Sequence, residues 1–313
     1  MKEKENKRKD KSKSENGEAI NKTNTLKVFK IGFGIMLSMI LILAFIYLLK
    51  KSNISIGKKE IVNPEITFNT SMGSFTAELY PDKAPETVRN IIALSKSGYY
   101  NGKIIYGKDV LAMHLGRLKN GLQEDPTIST IDQNIEKGSK EDIKYSIKGE
   151  FSANGFNKND IPNERYTLAI ARPDYTKIMA NLKEQSYNAG NSNILIVLRA
   201  GEKLNGNYAA FGKITKGQEV IDEIEKLELK DIERMDNMVK AEKDPAKKKQ
   251  MEKAFAEKLL SLNGFVNPPV IESVDVDTKG IEYSLPKYIK AFSLEEYVAE
   301  RYKVDPKETK IKR

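Results

Sequence analysis

The chain of 313 residues contains no cysteine and a single histidine, His114. The first absence excludes disulfides, thiol catalysis, thiolate zinc sites and a lipidated cysteine at the N-terminus. The second argues against a histidine-rich metal site and against a serine–histidine–aspartate triad. No metal and no cofactor is therefore expected. Long apolar runs are scarce as well. Apolar residues make up 39%, enough for a core but not for a multi-span membrane protein. The net charge is +9, yet the lysines are scattered and no aromatic platform interleaves them. Solvated lysine faces account for such a balance, and nucleic acid is not an expected partner.

What is present begins with a polar segment. Residues 1–30 carry ten Lys or Arg against five Asp or Glu, too polar to offset the entropy of ordering, and read as a disordered cytoplasmic tail. Ile31 to Leu49 then runs nineteen residues without a charge. At about 1.5 Å per residue such a helix covers roughly 28 Å, close to the hydrocarbon thickness of a bilayer. Lys50 and Lys51 close it, and Tyr47 sits at an interfacial position. The competing reading is a cleaved secretory signal, but the run is long for one and no small-x-small site precedes Lys50. The denser basic side is expected to stay in the cytoplasm. Residues 50–63 would then be a short linker, and the remainder would lie outside the cytoplasm at the cell membrane.

From Glu65 the pattern alternates. EITFNTSMGSFTAELY predicts two strands with a turn at Met72-Gly73, and PDKAPETVRNIIALSKSGYY predicts a helix with Pro85 in its first turn and Gly98 as its stop. Further strands are predicted in 165–171, 193–200, 208–214 and 270–277, with a helix over 218–227. Serial strands with turn glycines and short helices predict a closed antiparallel barrel capped by helices, a mainly β fold.

Six blocks carry a resemblance: TSMGSFTAELYPDKAPETVRNIIALSKSGYYNGKIIY, IKGEFSANGF, YTLAIAR, NSNILIV, YAAFGKITKGQEVIDEI and PPVIESVDVDT. In this order they resemble the cyclophilin-type peptidyl-prolyl cis-trans isomerases, and the bacterial branch most of all. The resemblance covers 64–284 and implies a cyclophilin-like β-barrel that binds proline-containing polypeptides.

Rotation about a Xaa–Pro bond meets a resonance barrier of about 18–20 kcal/mol. A catalyst holds the proline ring in an apolar slot and donates a hydrogen bond to the prolyl nitrogen, a task suited to a fixed guanidinium. The resemblance assigns that arginine to the strand after the tyrosine pair, where this chain has Gly107, with Tyr106 at the usual histidine. Arg172 and Arg117 are the candidate surrogates, with surface or salt-bridging roles as the alternative for both. Restoring a guanidinium by Gly107→Arg is expected to raise activity if the slot is otherwise competent. The resemblance assigns substrate contacts to Met113, Ala171, Arg172, Asn193, Leu195, Leu204 and Tyr208. The last stands for a histidine, Leu195 for a phenylalanine, and Ala112 and Lys203 replace a phenylalanine and a tryptophan. His114 alternates away from Met113 and Leu115 and reads as structural.

Two insertions exceed the family pattern, at about 173–191 and 229–264. In the second, Ile232, Met235, Met238 and Val239 form one helical stripe and Met251, Phe255, Leu259 and Leu262 another, with Asp244-Pro245 as cap and Gly264 as stop. A helical hairpin is predicted, packed on itself or on the barrel, or else serving as a client-binding arm. Residues 285–313 form a tail with a short helix in SLEEYVAERY. The reading that follows is a membrane-anchored prolyl isomerase assisting exported polypeptides as they fold, its partners being unfolded or proline-containing segments and, through Ile31 to Leu49, the bilayer. The alternative is a cyclophilin-like chaperone that grips such segments without turning them.

Overall fold

The computed structural model describes residues 29–48, 62–230 and 232–303. The predicted tail over 1–30 and the linker over 50–63 lie almost wholly outside them. Two compact units are present, up to residue 61 and from Val62 onward, and each is described by itself. In the first, helix α1 spans Phe29–Leu48, 20 residues of mean hydropathy 2.6, with no part of it buried. By length and composition it is long and apolar enough to cross a membrane, a test that a signal sequence near an N-terminus also passes.

The second unit is built on a nine-stranded antiparallel sheet. Its strands in chain order are β1 (Glu65–Thr70), β2 (Gly73–Leu79), β3 (Ile104–Lys108), β4 (Ala112–Arg117), β6 (Thr167–Ile170), β7 (Ile194–Val197), β8 (Ala210–Lys216), β9 (Asn263–Gly264) and β10 (Ile271–Asp277). A separate pair joins β5 (Tyr145–Ile147) to β11 (Tyr288–Lys290). The large sheet runs β10-β1-β2-β8-β6-β7-β4-β3-β9. The helices are α2 (Pro85–Lys96), α3 (Ile128–Ile131), α4 (Lys183–Tyr187), α5 (Gln218–Glu225), α6 (Ile232–Ala241), α7 (Pro245–Leu260) and α8 (Leu294–Tyr302).

The expected closed barrel requires correction. Among the described residues the sheet is open, and no ladder joins its two ends. The start of β3 and the chain entering β10 meet at one isolated bridge, Ile104–Val270, with Ile105 N donating to Pro269 O at 2.9 Å. Pro268 and Pro269 carry no N–H, so this stretch accepts hydrogen bonds but donates none from those two residues. The far end of β3 is taken by β9 instead, through Gly107–Gly264 and Lys108–Asn263.

Period-two alternation sends one face of each strand inward. Ile66, Phe68, Phe75, Ala77 and Leu79 from the β1–β2 hairpin meet Met113 and Leu115 of β4, Ile194 and Ile196 of β7, and Phe211 and Ile214 of β8 in one core. Phe68 stacks on Phe75 at 5.1 Å and meets Tyr100 edge-on at 6.1 Å. Helix α2 closes this core with Val88, Ile91, Ile92 and Leu94, the residues its 3.6-residue period puts on one side.

The start of α2 lacks a side-chain cap of its own, since Ala84 stands at the cap position. Glu150 fills the role from the IKGEF block. Its carboxylate, 3% exposed, accepts from Glu86 N at 3.0 Å, Thr87 N at 2.8 Å and Thr87 Oγ1 at 2.7 Å. Burial pushes this carboxyl above its usual range, against the pull of those donors. Replacing Glu150 by Ala leaves buried donors unpaired and is expected to cost about 1–3 kcal/mol. Urea unfolding of residues 62–303 would read the loss, and an unchanged midpoint would refute this account of the cap.

Candidate functional site

The outer face of β6, β7 and β4 carries a second apolar cluster, separate from the core. Ala112, Ala169 and Leu195 form it, at 2%, 0% and 4% exposure, with Ala171 and Tyr208 packed against it. Register explains the grouping. Ala169 lies opposite Leu195, and Ala112 and His114 lie opposite Val197 and Leu195. Beside the cluster, the loop at Asp109–Leu111 and the loop at Gly201–Lys203 enclose a hollow of about 540 Å3, into which Val110 presents an exposed side chain.

Three of the residues expected to touch substrate are therefore brought together: Ala171, Leu195 and Tyr208. Arg172 joins them at the rim. Its guanidinium lies 4.9 Å from the Tyr208 ring, 4.8 Å from Tyr187 and 5.4 Å from Phe151. Its Nε and Nη2 donate to Asn207 O at 3.3 and 3.1 Å, and Nη1 donates to Ser186 O at 3.4 Å. The arginine is thus held among three rings and two carbonyls, an arrangement that fixes a cation without neutralising it.

The other expected residues lie elsewhere. Met113 points to the opposite side of the sheet and is fully buried in the main core. Arg117 stacks over the Tyr106 ring at 4.2 Å and donates to Gly121 O at 3.2 Å. Asn193 lies next to Gly116, where an added Cβ would come within 3.1 Å of its Oδ1. Leu204 is buried in the loop after β7, its N–H bonded to Gly201 O and its carbonyl to Asn163 Nδ2.

Gly107 is the decisive position. A Cβ there would stand 1.9 Å from Asn263 O and 2.7 Å from Gly264 Cα. No real side chain fits, because the obstacle is backbone. The strand supplying it is β9, the return leg of the second insertion, held by Phe265 N to Tyr106 O at 2.9 Å and Lys230 N to Gly264 O at 2.8 Å. Gly264 reads in sequence as the helix stop, but α7 ends at Leu260 and Gly264 lies in a strand.

Sequence reasoning also passed over a pair on the outer face. His114 Nε2 lies 3.2 Å from Asp109 Oδ2, and Asp109 Oδ1 accepts from Leu111 N and Ala112 N. Burial alone would raise the Asp109 carboxyl, but the His114 and backbone donors outweigh it and hold it below the usual range. Among the described residues, no three His, Asp or Glu side chains converge in a way that would hold a metal ion.

A family model described as cyclophilin type peptidyl-prolyl cis-trans isomerase matches residues 65–245, more than half of the chain. The chain belongs to that family. Peptidyl-prolyl cis-trans isomerase B of Escherichia coli is 31% identical over 162 residues, 51% of this chain and 82% of that protein. A peptidyl-prolyl cis-trans isomerase of Arabidopsis thaliana is 27% identical over 170 residues, 54% of this chain and 63% of its own length. A crystal structure of a Cryptosporidium parvum cyclophilin is similar at a TM-score of 0.45 and 17% identity, covering 68% of this chain and 97% of that one.

This cyclophilin-type chain cannot regain an arginine at 107 by simple substitution. Gly107→Arg, and even Gly107→Ala, must displace the Asn263 backbone. The expected cost is about 1–3 kcal/mol, as for overpacking, and isomerase activity is not expected to rise. Thermal unfolding together with a proline-peptide assay would check both, and a stable, activated Gly107→Arg protein would contradict the close approach of β9.

Proposed function

We propose that the chain is a membrane-tethered folding assistant of the cyclophilin-type family. It works outside the cytoplasm, receiving proline-containing or extended segments of exported polypeptides on the outer face of β6, β7 and β4. Its isomerase turnover is far below that of relatives with a guanidinium at the position of Gly107. One observation carries this: Gly107 has no side chain and β9 leaves no space for one. Tethering is supported by the exposed apolar helix Phe29–Leu48. The lysine-rich segment before it supports a cytoplasmic N-terminus.

The physical logic is a division between holding and turning. The cluster of Ala112, Ala169 and Leu195 supplies apolar contact for a proline ring, while the amide keeps its resonance unless a donor reaches the prolyl nitrogen. Tyr208 covers the cluster, so a client ring enters as the tyrosine moves aside. A second reading rests on Arg172, whose charge is held at the rim by the Tyr208 ring. In that reading residual isomerisation passes through Arg172.

Removing one preorganised donor costs about 10²–10³ in rate in other enzymes. Residues 62–303, compared with the Escherichia coli relative in a protease-coupled proline-peptide assay, should turn over slower by about that factor. Turnover equal to that of the relative would overturn the proposal. If Arg172→Ala removes the residual rate while a proline peptide still binds, the second reading is supported. Protease added outside intact cells should cleave the part of the chain after residue 61, and full protection would refute the orientation.

A further inference from the structure

The insertion over 173–191 and the tail after 285, neither of which supplies the apolar cluster, meet around two cavities of about 280 and 430 Å3. Both are lined by Ala291 and Phe292. The Phe292 ring lies 5.1 Å from Tyr175 and 5.6 Å from Tyr297, so the dividing wall is aromatic.

Each cavity has a buried oxygen with no hydrogen-bond partner among the described residues. In the smaller it is Ser146 Oγ, on a side chain 1% exposed; in the larger it is Gln185 Oε1. Carboxylates accompany them. Asp125 lines the smaller cavity, with Oδ1 accepting from Gln123 Nε2 at 2.9 Å and Asn191 Nδ2 at 3.3 Å. Its nearest cation is the largely exposed Lys144, at 3.5 Å from Oδ2. Glu184, Glu296 and Glu300 line the larger cavity, where Lys290 is engaged by Glu296 at 3.0 Å. Glu295 and Glu296 stand in the first turn of α8 and offset its positive end. Asp125 and Glu300 have no such role.

The Gln185 amide oxygen is an acceptor without a donor, and the Ser146 hydroxyl accepts as well as donates; with carboxylates lining the same cavities both suit an N–H-bearing cation, and aromatic walls suit the alkyl stem of one. The same carboxylates repel phosphate and other anions. We propose that these cavities take lysine or arginine side chains of an extended polypeptide. A client is then gripped at a basic position as well as at a proline. This deepens the client-binding reading and rests on it, while using residues remote in sequence from Gly107.

The full chain in detergent micelles, titrated with fluorescent peptides, tests it. Three peptides serve: a proline-free one rich in Arg and Lys, the same with Glu replacing the basic residues, and a proline peptide without charge. The basic peptide should bind, the acidic one should not, and Asp125→Asn should weaken the basic peptide by about tenfold or more. Ser146→Ala should weaken it by a smaller factor. Neither variant should change binding of the uncharged proline peptide. Because Asp125 is half-buried, the exposed pair Glu184→Gln and Glu300→Gln provides a second variant, with the same direction expected. Failure of the basic peptide to bind, or equal binding by all variants, would overturn the proposal. Binding of the basic peptide with no binding of the proline peptide would support these cavities and refute the proline face instead.

Discussion

Two backbones pass each other at Gly107, and much of the rest of the site follows from that approach. The chain leaving α7 turns at Asn263, whose side-chain amide donates to Lys258 O and Ser261 O and so ends the helix. It then lies along β3, with Asn263 O where a Cβ at 107 would be. Glycine in a strand costs roughly 0.5–1 kcal/mol relative to alanine. Burying Phe265 completely, immediately after β9, contributes about 1.5–3 kcal/mol in the other direction. The insertion and the missing side chain are therefore one structural fact. An arginine at 107 and the return leg at 263–264 exclude each other in the same space.

The outer face is organised by other side chains. Ala112 stands where the resemblance places a large ring, and Tyr208, in the loop before β8, packs against the same cluster. Arg172 then has an aromatic surface to rest on, with Tyr187 from the first insertion and Phe151 completing the surround. Contacts of a guanidinium with rings contribute about 0.5–2 kcal/mol each and keep the charge available. Arg172 is thus positioned in part by Tyr187 of the first insertion and in part by Phe151 and Tyr208, which lie within the family pattern.

Much of the scaffold was legible in the sequence because it rests on local rules. Alternation in EITFNT and GSFTAEL, Pro85 at a helix start, and Asp244-Pro245 as cap and first turn each have a local physical cause, and β1, β2, α2 and α7 occur there. Gly107 was readable as a strand position with no side chain. The reason for it was not, since the contact with Asn263 joins residues 156 positions apart and Asn-Gly has no strand pattern. The expected closure failed for a related cause: the proline pair before β10 limits its pairing with β3. The methionine stripe of α6 was half right, for Val239 is buried and Met238 is 52% exposed. Glu150 as cap of α2, and Ser146 beside Asp125, depend on tertiary neighbours that no short window contains.

Strand β4 shows why the fold persists while the chemistry changes. Its alternate residues face different solvents. Met113 and Leu115 pack with Phe68, Ile196 and Phe211 in the core, where a lost methylene is felt at once as a cavity. Ala112 and His114 look outward, where replacement alters what binds but leaves the core volume intact. A one-residue shift of register would exchange the two sets, and the inner face forbids it. Packing therefore fixes Met113 on the inner face, with its side chain turned away from the apolar cluster. By the same reasoning the inner residues of β4 serve packing, and function is to be sought in the residues that the packing leaves free.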